Sequence, residues 1–243
     1  MLLLLLPPAS AQEKPPAKDL PRVLVANPLG VTPGATTKVT LRGLKLDTAG
    51  EVRIEGAKAV KLLSKGKASV PNNQQPNKVG DTQIELEITL PKEAAGDSIW
   101  LTVVTPAGTS PPYALILNGK APLIAEKEPN NGFREAQPIQ LAQDIDGQID
   151  RPQDVDVYRF EGKAGQILLF EVEADRFGSA LDPILLLHDA DGRQLASNDD
   201  DALADPRLAY ALKKDGVYFL TVMDAHDQGG PAHVYRLVAR LIK

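Results

Sequence analysis

The stretch "TQIELEITL", Thr82 to Leu90, limits the fold more than any other feature of this chain. Ile84, Leu86, Ile88 and Leu90 fall on every second residue, with Glu85 and Glu87 between them. A period of two places the apolar set on one face of a β-strand and the carboxylates on the other. Further short segments keep the same alternation: "RVLVA", "TKVTLRG", "EVRIEG", "SIWLTVV" and "YALIL". Turn formers such as "PGAT" and "TPAGTSPP" separate them, and no stretch holds a period of 3.6 beyond two turns. The chain has 19 glycines and 20 prolines in 243 residues, which suits a turn-rich β-protein. Residues 21–118 therefore read as a β-sandwich of about seven short strands. The polar run "GKASVPNNQQPNKVG" reads as an exposed loop inserted in it.

"NGKAPLIA" marks a boundary, and residues 121–243 are again strand-rich. Their best strands are "DVYRF", "QILLFEVEA", "PILLLHD", "GVYFLTVMD" and "HVYRLVARLI"; "LADPRLAYAL" reads as one short helical turn. The expected fold is all-β, two sandwiches in tandem.

Composition removes several functions. Net charge is -5, against the basic stripe of a nucleic-acid binder. The absence of cysteine excludes disulfides, a thiol nucleophile and cysteine-ligated zinc. The opening "MLLLLLPPASAQ" joins a leucine run to Ala9-Ser10-Ala11, an A-x-A cleavage element before Gln12. Residues 1–11 are read as a signal peptide, shortened by a start codon set too far downstream, and 12–20 as a flexible leader. The expected location is secreted, periplasmic or on the cell surface. No run of about 18 apolar residues is present, so no transmembrane segment is expected.

The motifs give little support for an enzyme. There is no G-x-S-x-G and no H-E-x-x-H. His188 and His233 sit at the ends of apolar strands and read as structural. No carboxylate pair stands out for glycoside hydrolysis, so a hydrolase is kept only as a remote alternative. "DADGRQ", Asp189 to Gln194, lacks the third acidic position and closing glutamate of an EF-hand loop, and reads as a β-turn with Gly192 at positive φ. "SNDDD", Ser197 to Asp201, reads as a solvated loop able to take a cation.

The stretch "EKEPNNGFREAQPI", Glu126 to Ile139, is different. In an extended chain Glu126 and Glu128 project to one side while Lys127 points away. Pro129 disfavours helix at Glu128, and Asn130-Asn131-Gly132 forms a turn that swings two amides beside the carboxylates. Further on, Asp150, Asp154 and Asp156 precede a strand. Calcium takes six to eight oxygens of this mixed kind, whereas the anions alone would repel one another. From the residues, two readings stand: a calcium clasp, or a polar linker whose aspartates face solvent.

"EKEPNNGFREAQPI", "GQIDRPQDVDVYRFEGKAGQILLFEVEA", "LDPILLLHDADGRQLASNDD" and "DGVYFLTV", in that order, resemble the bacterial pre-peptidase C-terminal domain across 121–243. That family comprises β-sandwich modules of secreted proteases and includes the collagen-binding modules of collagenases. The resemblance implies a jelly-roll-like second sandwich and a calcium site. Glu126, Glu128, Asn130 and Asn131 match its linker part, and Asp156 with the carbonyl of Val157 its strand-entry part. Gln153 or Asp154 aligns with the preceding ligand, and Gln148 stands where a small oxygen ligand is expected. More weakly, "VLVANPLGVTPGATTKVTLRGLKL" resembles Ig-like domains of the IPT/TIG type.

The expected function is a non-catalytic binding or adhesion module of the exterior or envelope, its partner an extracellular or envelope protein or polysaccharide. The alternative is an accessory or targeting subunit acting in trans with an extracellular protease. Aromatic content is only 5%, and Tyr158, Tyr218 and Tyr235 fall inside apolar strand patterns, so they read as core and collagen is not assigned as ligand.

Overall fold

The structure is a computed structural model and describes residues 20–200 and 205–243. The expected signal peptide and all but the last residue of the leader lie outside the described residues, as does Asp201 of the "SNDDD" loop.

The first sandwich packs two sheets. One holds β1 (Arg22–Asn27), β3 (Thr36–Leu44), β6 (Thr82–Thr89) and β5 (Ala59–Lys67), neighbours in that order and antiparallel throughout. The other holds β2 (Gly30–Val31), β9 (Tyr113–Leu117), β7 (Ser98–Thr105) and β4 (Glu51–Ile54), with β8 (Gly108–Thr109) paired to β7. The period-two reading of β6 is met: Ile84, Leu86 and Ile88 are fully buried. Burial is worth about 1.5–3 kcal/mol for each such side chain. Glu85 and Glu87 face outward, against Lys38 at 3.3 Å and Lys61 at 3.7 Å. Trp100, on β7, is 58% exposed.

The second sandwich stacks two five-stranded sheets. One runs β10 (Leu123–Ala125), β12 (Asp144–Gln148), β19 (Val234–Leu241), β14 (Ile167–Glu173), β17 (Arg207–Ala211). The other runs β11 (Gln137–Pro138), β13 (Val155–Gly162), β18 (Gly216–Asp224), β15 (Pro183–Asp189), β16 (Gln194–Asn198). Its core includes Phe160, Phe170, Tyr158, Tyr218 and Tyr235, so the tyrosines sit inside as their alternation indicates. The β15–β16 turn puts Gly192 at φ 77°, as read from "DADGRQ".

Two sequence expectations are corrected. Residues 207–211 form no helical turn: they pair with β14, from Leu169 opposite Ala209 to Glu171 opposite Arg207, and Leu208 enters the core. A ladder of tertiary hydrogen bonds overrides local propensity there. The polar insertion is not simply an exposed loop. Its start completes β5, and Pro76–Val79 forms a helical turn that buries Val79. Val79 joins Val25, Leu29, Ile116, Ala232 and Val234 in an apolar cluster, with Val70 packed against it.

That cluster joins the two sandwiches. The Tyr113 hydroxyl accepts from Ala26 N–H at 3.0 Å and donates to the Phe177 carbonyl at 2.7 Å, tying one sandwich to the other. Gly178, at φ 77°, lies so close to the Leu24 carbonyl that a Cβ would meet it at 2.0 Å. Arg236 of β19 is buried at the same joint, paired with Asp146 of β12 at 2.8 and 3.1 Å. Burial raises the Asp146 carboxyl, and Arg236 opposes that. No helix among the described residues is long and apolar enough to cross a membrane.

Candidate functional site

The expected linker and strand-entry residues meet at one edge of the second sandwich. Parallel pairing of β10 with β12 continues one residue further, where Glu126 N–H donates to the Asp146 carbonyl at 2.8 Å. Glu126 Oε2 accepts from Gln148 N–H at 2.7 Å, and its Oε1 from Asn130 Nδ2 at 2.9 Å. Lys127 turns its backbone the other way, with its N–H donating to Gln137 Oε1 at 2.7 Å. The Glu128–Pro129 bond is cis. Asn130 follows, fully buried: its N–H donates to Glu128 Oε2 at 3.0 Å, and its carbonyl accepts from Val157 N–H at 2.9 Å. A single asparagine thus holds both glutamates and the strand.

On the other side, Asp150 N–H donates to Asp154 Oδ2 at 2.8 Å across a turn with Gln153 at φ 64°. Asp154 is buried, with Arg151 at 3.8 Å. Asn131, with its amide turned to suit its neighbours, donates to Asp154 Oδ1 at 2.9 Å and to the Val155 carbonyl at 3.2 Å. Asp156 is fully buried in β13; its Oδ2 accepts from the Tyr235 hydroxyl at 2.5 Å, and Tyr235 shares a 2.6 Å hydrogen bond with Tyr158. Gly147 makes room for this pair, since a Cβ there would lie 2.4 Å from the Tyr235 ring.

The carboxylates fall into two groups that share Glu128. Oxygens of Glu126, Glu128 and Asp156 lie within 4.8 Å of one another, as do those of Glu128, Asp150 and Asp154. Asp156 Oδ1 and Asn130 Oδ1 are buried without a hydrogen-bond partner. A buried oxygen left so is costly, and a cation would satisfy both. Burial, followed by the facing carboxyl of Glu126 and its charge, pushes the Asp156 carboxyl up to about 10. Burial also raises Glu128, assisted by Asp154, Glu126 and Asp150. Five carboxylates, two amides and adjacent backbone carbonyls form an oxygen-only donor set suited to a hard cation.

Each candidate residue has its place. Glu126, Glu128, Asp154 and Asp156 bring carboxylate oxygens together, Asn130 bonds both glutamates, Asn131 braces Asp154, and Val157, expected to offer its carbonyl, meets Asn130 through its backbone N–H. Asp150 completes the second group, although sequence reasoning named it only as a nearby anion. The signal was its D-x-x-x-D-x-D spacing with Asp154 and Asp156. Gln148 acts as a donor here: its Nε2 bonds Asp150 Oδ1 at 2.5 Å. Of the histidines, His188 lies edge-on to Phe133, with ring centres 5.2 Å apart, and His233 is fully buried with neither ring nitrogen partnered. His226 is exposed beside Asp182 at 3.2 Å.

No family model matches the sequence. A probable subtilase-type serine protease of Deinococcus radiodurans is 31% identical over 153 residues, 55% of this chain and 21% of the relative. The chain thus spans about a fifth of the length of the curated relative it matches. Among solved structures, the pre-peptidase C-terminal domain of a Bacillus anthracis collagenase is similar over 44% of this chain and 95% of its own, with 20% identity and a TM-score of 0.37. The resemblance is to a pre-peptidase C-terminal domain. A periplasmic inhibitor of g-type lysozyme from Aeromonas hydrophila is similar over 49% of this chain and 97% of its own, with 14% identity and a TM-score of 0.36.

Proposed function

We propose that this chain is a non-catalytic binding module of the cell exterior or envelope, whose second sandwich is stabilised by calcium at Glu126, Glu128, Asn130, Asp150, Asp154 and Asp156. The observation that carries the calcium reading is Asp156 Oδ1, fully buried and unpartnered among carboxylates that share Glu128. Calcium joins the Glu126–Asn131 segment to the entry of β13 and removes the repulsion between them. Its partner is an extracellular or envelope protein or polysaccharide. The likeness to a subtilase-type protease favours a second reading, in which the module serves an extracellular protease as an accessory or targeting part.

Thermal unfolding of the full chain tests the calcium reading. A ligand at about 100 times its dissociation constant stabilises the native state by about 2.7 kcal/mol. For a protein of this size that is a rise in Tm of several degrees. Magnesium gives a much smaller rise, because it sheds its waters reluctantly. The double variant Glu126→Gln, Glu128→Gln loses the calcium response. An unchanged wild-type melt in millimolar calcium overturns the reading. Pull-down of secreted proteases and polysaccharides from culture medium, with and without calcium, separates the two partner classes.

A further inference from the structure

We propose that calcium binding and docking of the two sandwiches are energetically coupled, with Asn27 and Gln74 of the first sandwich acting as positioning residues for the acidic cluster of the second. The inference rests on the cation reading above.

Two independent ties lead from the first sandwich to the cluster. In the first, Asn27 at the end of β1 donates through Nδ2 to Gln148 Oε1 at 2.9 Å. The other end of the same amide donates to Asp150 Oδ1, and the Gln148 backbone N–H donates to Glu126 Oε2. Gln148 therefore touches one carboxylate of each group, and Asn27 fixes which way its amide faces. In that orientation Nε2 faces Asp150; the reverse would set an oxygen against a carboxylate. In the second tie, Gln74 of the polar insertion donates through Nε2 to the Gly229 carbonyl at 2.9 Å. Gly229 lies flat on the Arg151 backbone, where a Cβ would meet the carbonyl oxygen at 2.2 Å. Asp154 N–H donates to that carbonyl at 3.2 Å. The turn carrying Asp150 and Asp154 is thus pressed from the first sandwich through Gly229.

Strand pairing brings the joint and the cluster still closer. On β12, Asp146 meets the buried Arg236 of the joint and Gln148 serves the cluster two residues on. Opposite Gln148, in register, stands Val234 of the interdomain apolar cluster. A cleft of about 650 Å³ lined by Asn27, Pro28, Glu126, Glu128, Gln148 and Asp150 opens between the two sandwiches. Groups that hydrogen-bond metal ligands hold them in the geometry the metal requires. If docking favours that geometry, the metal must favour docking by the same free energy.

Calorimetric titration of the full chain with calcium chloride, after removal of metal with EDTA, reads the coupling. Asn27→Ala and Gln74→Ala are each expected to weaken calcium binding by about two- to tenfold, the worth of one net hydrogen bond. Asn27→Ala added to Gln148→Ala is expected to cost nothing more, because Asn27 acts through that amide. Wild-type amide exchange gives a readout that needs no variant: calcium slows exchange at Ala26, whose N–H is held at the joint by Tyr113. Calcium binding by wild type with the same Kd in the Asn27→Ala, Gln74→Ala double variant overturns the coupling alone. So does wild-type Ala26 exchange that ignores bound calcium. Wild type that takes up no calcium overturns the cation reading, and the coupling with it.

Discussion

The Tyr235 hydroxyl donates to Asp156 Oδ2 at 2.5 Å, and Asp156 Oδ1 on the same carboxyl is buried without a partner. The phenol occupies one oxygen, and the carboxyl as a whole reaches within 4.8 Å of oxygens of Glu126 and Glu128. A buried carboxylate with a single free oxygen has only one direction in which to bind.

Tyr235→Phe removes the brace without changing the core volume. It leaves Asp156 Oδ2 and the Tyr158 hydroxyl short of a partner, at an expected cost of about 1–3 kcal/mol in chemical denaturation. Loss of a group that orients a metal ligand weakens affinity by about 10–100-fold, readable by the same calcium titration. An unchanged Kd alongside reduced stability would make Tyr235 a packing residue only.

The acidic cluster also predicts a pH dependence of definite sign. Asp156 titrates near 4 in the unfolded chain and at about 10 in the fold, so without metal the native state binds the extra proton. Its contribution is fully present below about pH 4 and is lost as pH rises toward about 10, so the metal-free protein loses stability over that window. Calcium competes with the same proton. Its binding at pH 7 releases protons, and its affinity rises with pH. Denaturant melts in EDTA across pH check the first statement. Titration in buffers of different ionisation enthalpy checks the second.

Gly178→Ala tests the joint. The residue lies at φ 77° and its added Cβ would meet the Leu24 carbonyl of the other sandwich at 2.0 Å. Backbone strain at such a position costs about 1–3 kcal/mol, and the overlap adds to it. The expected result is a lower Tm with faster amide exchange at Ala26, whose N–H lies on the Tyr113 bridge. Gly165→Ala has φ 85° with nothing within 4 Å of the added Cβ, and serves as the control for strain without the joint.

Local pattern carried the sequence reading where burial alternates along one strand. Ile84, Leu86 and Ile88 announce their face because Glu85 and Glu87 stand between them. Glu126 and Glu128 announce theirs for the same reason. The reading failed where the deciding partner is remote in sequence. Residues 207–211 became a strand because β14, some 40 residues earlier by the ladder that pairs them, offered an edge. The polar insertion became part of the joint because Gln74 met Gly229, 155 residues away. Asp150 was visible as an anion, but its membership of the cluster depends on Gln148 and Asn27, which no spacing rule connects.

Trp100, the only tryptophan, stands exposed on β7 of the first sandwich, while Tyr158 and Tyr235 lie against Asp156 in the second. The indole therefore belongs to the first half, and four of the five tyrosines, all but Tyr113, belong to the second. Indole emission excited beyond the phenol band originates in the first half alone, and a solvated indole has little room to shift to the red on unfolding. Phenol absorption in the near ultraviolet, most of it from the second half, includes the Tyr158 and Tyr235 signal beside Asp156. A fluorescence screen for metal that watches the indole alone would miss an event at the other end of the molecule.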